Sequence, residues 1–158
     1  MRIKKVKLTN EKKVSIIYEK PNKIGGYDEY SMTCLETARP EFYKAFEALA
    51  PEVVDMCELP DEYLPRIKVR GVSFSYGGEK EIMGATISAS MELRRSYPRL
   101  NINTPHKASA MYSEGTPDDD MQLLSADCIE TMDALQAECR AYIKGERAQA
   151  KLFGGEAA

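Results

Sequence analysis

The chain has no tryptophan and only one histidine, His106. No serine or cysteine sits in a nucleophile-elbow setting, so a serine or cysteine triad of the familiar kind is not expected. There is no glycine-rich phosphate loop followed by Lys-Ser/Thr and no dinucleotide fingerprint; Gly25-Gly26 and Gly77-Gly78 read as turns. No apolar run approaches the roughly 20 residues a membrane helix needs. Met1-Arg2-Ile3-Lys4-Lys5 leads into alternating charge rather than the apolar region of a signal peptide. A soluble cytoplasmic protein with no membrane partner is therefore expected. Cys34, Cys57, Cys128 and Cys139 are widely spaced, without a C-x-x-C pair, and each falls on an apolar face. Reduced core cysteines in a reducing compartment fit this better than disulfides or zinc. These absences together predict a protein that is not an enzyme and carries no cofactor.

With 158 residues the chain suits one domain, expected over 1–148, followed by a short tail over 149–158. Apolar residues at 43% and charged residues at 30% exclude a disordered or low-complexity protein. The net charge of −3 hides an asymmetry. Residues 1–23 carry eight basic side chains, among them Lys4, Lys5, Lys7, Lys12 and Lys13, against Glu11 and Glu19, so the remainder is acidic. A second basic stretch, 93–107, has no acid and contains Arg94, Arg95, Arg99 and Lys107. Such clusters suit phosphate contacts, but lysines on an exposed hairpin are also an ordinary way of keeping a sheet edge soluble.

Ile3, Val6, Leu8 and then Val14, Ile16, Tyr18 are two short alternating runs around Thr9-Asn10-Glu11, the pattern of a hairpin. Turn residues from Pro21 to Gly26 lead to a third strand with Tyr30, Met32 and Cys34 on one side. The period then changes: Phe42, Phe46, Leu49 and Val53 fall at helical spacing after Arg39-Pro40. Pro51 either kinks this helix or starts a second short one. In the second half, Ile67 and Val69 lie on one phase and Val72, Phe74 and Tyr76 on the other, so Gly71 marks a bulge. The cleanest strand is 81–93, with Met83, Ala85, Ile87, Ala89 and Met91 facing in and Gly84, Thr86, Ser88 and Ser90 leaving a flat outward surface. A shorter strand is expected over 99–104 and a loop over 106–115.

Thr116-Pro117-Asp118-Asp119-Asp120 is a helix-start signal, because carboxylates accept bonds from first-turn amides and favour the positive end of the helix dipole. A cation site on the three aspartates is the weaker reading, since consecutive side chains point different ways. Met121, Leu124, Cys128, Met132, Leu135, Cys139 and Tyr142 then line one face of a helix. Lys144-Gly145 suits its end, though the helix can run on to Gln149. The steps of four and three from Cys128 to Tyr142 suit either a helix-helix seam, hence a homo-oligomer, or packing on the protein's own sheet. The whole reads as α+β: an antiparallel sheet of about six strands covered by two main helices, in the order βββα-βββα.

Gln149-Ala150-Lys151-Leu152-Phe153 resembles the peptide by which bacterial polymerases and mismatch-repair factors bind the sliding clamp. Gln149, Leu152 and Phe153 match that pattern, whereas Ala150 and Lys151 depart from the favoured Leu and Ser/Asp. The resemblance implies that Leu152 and Phe153 enter a pocket on a partner while the Gln149 amide anchors the peptide. The other reading is that both apolar residues extend the helix's own stripe. A small lysine-rich domain with such a tail looks like the replication and recombination accessory proteins of bacteriophages and prophages. Its element order is similar to that of single-strand annealing proteins. The resemblance implies a non-enzymatic accessory protein that binds single-stranded DNA, a sliding clamp, or both. Lys4, Lys5, Lys7, Lys12, Lys13, Arg94, Arg95, Arg99 and Lys107 would form the basic track, and Phe74, Tyr76 and Tyr97 would stack bases. The alternative is an assembly module or inhibitor of a host protein, acting as a homo-oligomer without nucleic acid.

Overall fold

A computed structural model describes residues 1–10, 12–110 and 123–148 of the chain. Lysine alternates with branched apolar residues in β1 (Arg2–Leu8), which places Lys5 and Lys7 outside and Val6 in the core. Ile3 is buried on the same side as Val6, although three residues apart do not share a face in a regular strand. The pairing with β2 (Val14–Pro21) shifts register between Ile3 and Lys5, and this bulge restores the phase. The same device recurs in β4 (Ile67–Gly77). Val69 and Val72 are both buried because the register against β5 (Ile82–Met91) shifts between Val69 and Gly71, where the sequence predicts it.

The strands form one antiparallel sheet in the order β3-β2-β1-β4-β5-β6, with β3 (Tyr27–Cys34) and β6 (Leu100–Asn103) at its edges. A two-residue β7 (Lys107–Ala108) pairs with β5 inside the stretch expected to be a loop. Helices α1 (Pro40–Ala48) and α2 (Ala50–Met56) meet at Leu49, and Pro51 stands in the first turn of α2. It therefore starts a second short helix, where its missing N–H costs nothing. A 3-10 helix, Asp61–Arg66, leads into β4.

α3 (Ala126–Ile143) begins later than the aspartates predict. Leu123 bridges to Ala108, the Leu124 N–H donates to the Ala108 carbonyl, and only then does the Ser125 hydroxyl cap the helix by accepting from the Cys128 N–H. Serine is as good a cap as aspartate, and here it follows the last extended pairing. Asp118, Asp119 and Asp120 lie outside the described residues. The helix stops where Lys144-Gly145 predicts, with Gly145 at φ +104°.

Cys128, Met132, Leu135, Cys139 and Tyr142 are all buried in the same core as Ile3, Val6, Phe42 and Ile87. The apolar seam of α3 is thus consumed by the protein's own sheet and helices. Several polar ties fix α3, two of them near its C-terminal end. Arg39 reaches both carboxylate oxygens of Glu138, at 3.1 and 2.8 Å, and the Tyr142 hydroxyl donates to the Glu36 carbonyl at 2.6 Å. Among the described residues no helix is long and apolar enough to cross a membrane. The fold is α+β in the order βββα-βββα, with the helices packed on one face of the sheet.

Candidate functional site

The sheet face away from the helices is built of short polar side chains in register. One row of paired residues crosses six strands as Thr33, Ser15, Lys7, Gly71, Ser88 and Asn103. The next row runs Ser31, Ile17, Lys5, Ser73 and Thr86. Within the first row the Thr33 hydroxyl donates to Ser15 at 3.3 Å and the Ser88 hydroxyl to the Asn103 side-chain carbonyl at 2.9 Å. Because strand side chains alternate, each of these follows from the burial of its neighbour on the helix side. Gly71 opens the middle of the row: a Cβ there would stand 2.7 Å from the Val6 carbonyl oxygen and 2.9 Å from the Lys7 Cβ.

The two ends of this face differ in charge. At one end Arg2 is ion-paired with Glu19 at 2.9 Å and Glu81 at 2.8 Å, and its guanidinium lies over the Tyr27 ring at 3.9 Å. At the other end Arg70 and Arg99 converge on Ser90, whose hydroxyl accepts from the Arg99 Nε at 2.7 Å and the Arg70 Nε at 3.3 Å. Arg99 also donates to the Arg66 carbonyl at 3.0 Å and to the Ser90 carbonyl at 3.3 Å, which holds its guanidinium flat against the strand end. Its ion pair with Glu92 is loose, at 3.8 Å, and among the described residues Arg70 has no ion pair.

Lys7, Thr9, Asn10, Arg70, Arg99 and Asn101 line a groove of about 510 Å³ on this end of the open face. The groove is continuous with a cleft of about 1080 Å³, which shares Leu8, Thr9, Asn10, Arg70 and Arg99 with it. The cleft descends between the sheet and α1 to Tyr43, Phe46, Ile67 and Val69, and Lys12 and Lys68 stand at its rim. An apolar floor under a cationic rim suits an anion that carries an apolar group.

The residues expected to bind nucleic acid divide into four sets. Lys5, Lys7 and Arg99 share the open face, and Lys12 joins them through the cleft. Lys4 sits at the β1 bulge and Lys13 follows in the turn to β2. Arg94 and Arg95 line a separate shallow cleft of about 400 Å³ with Glu62, Tyr63 and Arg66, beside the exposed Tyr97. Three residues face elsewhere. Phe74, only 4% exposed, belongs to the core, because the bulge at Gly71 turns its phase toward the helices. Tyr76 is half-buried on that same side, donating to the Ile3 carbonyl at 2.7 Å and accepting from Gln136 at 3.0 Å. Lys107 lines a cleft with Glu52, Asp55 and Glu58, away from the basic groove. Burial pushes the Glu52 carboxyl up, and the Ser125 hydroxyl and Lys107 act against it. Gln149, Leu152 and Phe153 lie outside the described residues.

Lys68 and Arg70 belong to the site, yet the sequence reading leaves them out. Their signal was the bulge itself, which brings a cation to the open face beside Arg99. His106 also has a role the sequence does not announce. Its Nε2 is 2.8 Å from the Ser75 hydroxyl, and the ring closes over Gly84, where a Cβ would be 2.5 Å from that nitrogen. Among the described residues no three His, Cys, Asp or Glu side chains are placed to hold a metal ion together. No protein-family model, curated protein or solved structure matches the chain.

Proposed function

We propose that the chain is a non-enzymatic DNA-transaction accessory protein of phage or prophage type that holds single-stranded DNA on the basic end of its open sheet face. The observation that carries this reading is the convergence of Arg70 and Arg99 on the Ser90 hydroxyl beside Lys7. Like charges brought together raise the energy of the unliganded site, and a phosphate between them lowers it through charge-assisted hydrogen bonds. Hydroxyl and amide side chains along the same face suit contact with sugar and phosphate, which positions a strand without reading its sequence. The acidic remainder of the chain limits affinity, so binding is strongest at low ionic strength. Fluorescence anisotropy with a labelled oligonucleotide at low and moderate salt tests the proposal. Real phosphate contacts weaken steeply with salt, and no binding at low salt ends it. Clamp association through Gln149, Leu152 and Phe153 belongs to the same proposal and rests on the peptide resemblance alone.

The second reading is an assembly module or host-protein inhibitor acting as a homo-oligomer. The α3 seam no longer supports it, since that face is buried at home. The eight-residue edge strand β3 does, with Tyr27 and Tyr30 exposed on either side of it, because an unpaired edge is a template for a second strand. Size-exclusion chromatography with light scattering separates the two: a strict monomer removes the edge-pairing reading.

A further inference from the structure

We infer that the cleft between the sheet end and α1 receives a nucleobase of the bound strand, with the flanking phosphates on the adjoining Lys7, Arg70 and Arg99 groove. This rests on the single-stranded DNA reading above and adds what that reading lacks, a place for a base. Among the described residues the basic end of the open face has no aromatic platform, because Phe74 is in the core, Tyr76 is turned to the helix side, and Tyr27 stands at the opposite end under the Arg2 guanidinium. A strand held only by phosphate leaves its bases in water, and stacking is the other main source of single-strand affinity. The cleft is where the same groove reaches apolar surface. Leu35 stands exposed at its mouth, and Tyr43, Phe46 and Val69 lie deeper. Its volume of about 1080 Å³ accommodates a nucleotide, standing just above the roughly 300–1,000 Å³ range of small-molecule sites.

Charge orders the occupant. Lys12, Lys68, Arg70 and Arg99 stand around the cleft, and among the described residues Glu47, exposed on α1, is the acid that lines it. A carboxylate in the cleft turns phosphate away from the interior and accepts a hydrogen bond from an exocyclic amine. The Asn10 side chain at the mouth offers both a donor and an acceptor to a base edge. The arrangement therefore favours an amino-bearing base, cytosine, adenine or guanine, over thymine.

The chain's lack of tryptophan makes the test direct. Leu35→Trp puts a single indole at the cleft mouth, at a position exposed enough (69%) to accept it, and a melting curve checks that the fold is kept. The full-length variant is titrated with oligodeoxycytidylate and with an abasic strand of equal length, recording anisotropy of the labelled strand and indole emission together. The expected result is quenching by oligodeoxycytidylate. The abasic strand binds roughly tenfold more weakly and leaves emission unchanged, because stacking is lost with the base. Glu47→Gln in the wild-type background narrows the preference for oligodeoxycytidylate over oligothymidylate. If oligodeoxycytidylate binds without quenching, or the abasic strand quenches equally, the base pocket is overturned while the phosphate groove stands. If neither strand binds at low salt, both readings fail.

Discussion

Arg70 and Arg99 donate to one and the same hydroxyl, that of Ser90, from strand β4 and from the approach to β6. A serine oxygen has two acceptor lone pairs, so the arrangement satisfies both Nε–H groups at once. Two cations are thereby fixed side by side in advance of any ligand. Fixed donors lose less freedom when an anion arrives than mobile surface lysines do.

Arg99→Ala should weaken single-stranded DNA binding and flatten its salt dependence. For a single strand, each phosphate that the protein no longer neutralises takes roughly 0.7 off the slope of log affinity against log salt. Arg2→Ala is the matched control. Arg2 is already neutralised by Glu19 and Glu81, so its removal should leave that slope unchanged. Equal slopes for Arg99→Ala and the wild type would remove Arg99 from the interface.

Gly71→Ala should destabilise the fold by about 1–3 kcal/mol, the usual cost of overpacking. The added Cβ would meet the Val6 carbonyl oxygen and the Lys7 Cβ, backbone-anchored atoms of a paired strand that cannot swing away. Gly84→Ala also brings a Cβ against neighbours, but these are the tip of His106 and the Ser75 hydroxyl. That side chain can move off, so the second substitution should cost less. Denaturant melts of both variants give the order.

Most of the strands were legible because alternation is local: the inward set Ala85, Ile87, Ala89 and Met91 appears in the sequence as it does in the core. Gly71 marked its bulge for the same reason. The start of α3 was misplaced because Asp118-Asp119-Asp120 is a cap signal by composition, whereas the Leu123 and Leu124 pairing to Ala108 that delays the helix is a contact between distant residues. The site was legible only in part. Lys5, Lys7 and Arg99 stand out in charged stretches, but Lys68 and Arg70 are dispersed among valine, isoleucine and glycine. Only the register of β4 against β5 shows that they share a face with Ser90 and Arg99.

Burial pushes the Cys128 thiol up to about 12 and raises Cys139 further, so both are neutral and inert in the folded protein. In the unfolded chain they ionise near pH ~8.5. A pKa raised by folding means that the unfolded state holds fewer protons above that value. Stability is thus fully present below pH ~8.5 and declines as pH rises toward about 12. Thermal melts across this range should fall progressively. A thiol reagent at neutral pH should modify Cys34 and Cys57, which are half-buried, well before Cys128 and Cys139. Simultaneous modification of all four in the native protein would contradict this core.

If the terminal peptide engages a clamp, Phe153→Ala should abolish capture by a bacterial sliding clamp, since adjacent apolar anchors carry most of such an interface's energy. The melting temperature should not change. A lowered melting temperature, with no capture of the wild type, would assign Phe153 to the fold instead and remove clamp association from the proposal.

Phe74 and Tyr97 should respond oppositely, although the sequence groups them as base-stacking aromatics. Phe74 sits in the core cluster with Val72, Ile87 and Leu135, so Phe74→Ala removes a large side chain where neighbours collapse only partly. The expected cost is about 3–5 kcal/mol of stability. Tyr97 is fully exposed in the β5–β6 connection, between Arg95 and Arg99. Tyr97→Ala should leave the melt unchanged and weaken single-stranded DNA binding by the ~1–3 kcal/mol of one stacked base, provided the strand reaches that loop. Denaturant midpoints and anisotropy on the two variants separate the core role from the stacking role. An unaltered affinity for Tyr97→Ala would confine the nucleic-acid path to the groove and cleft beside Arg70.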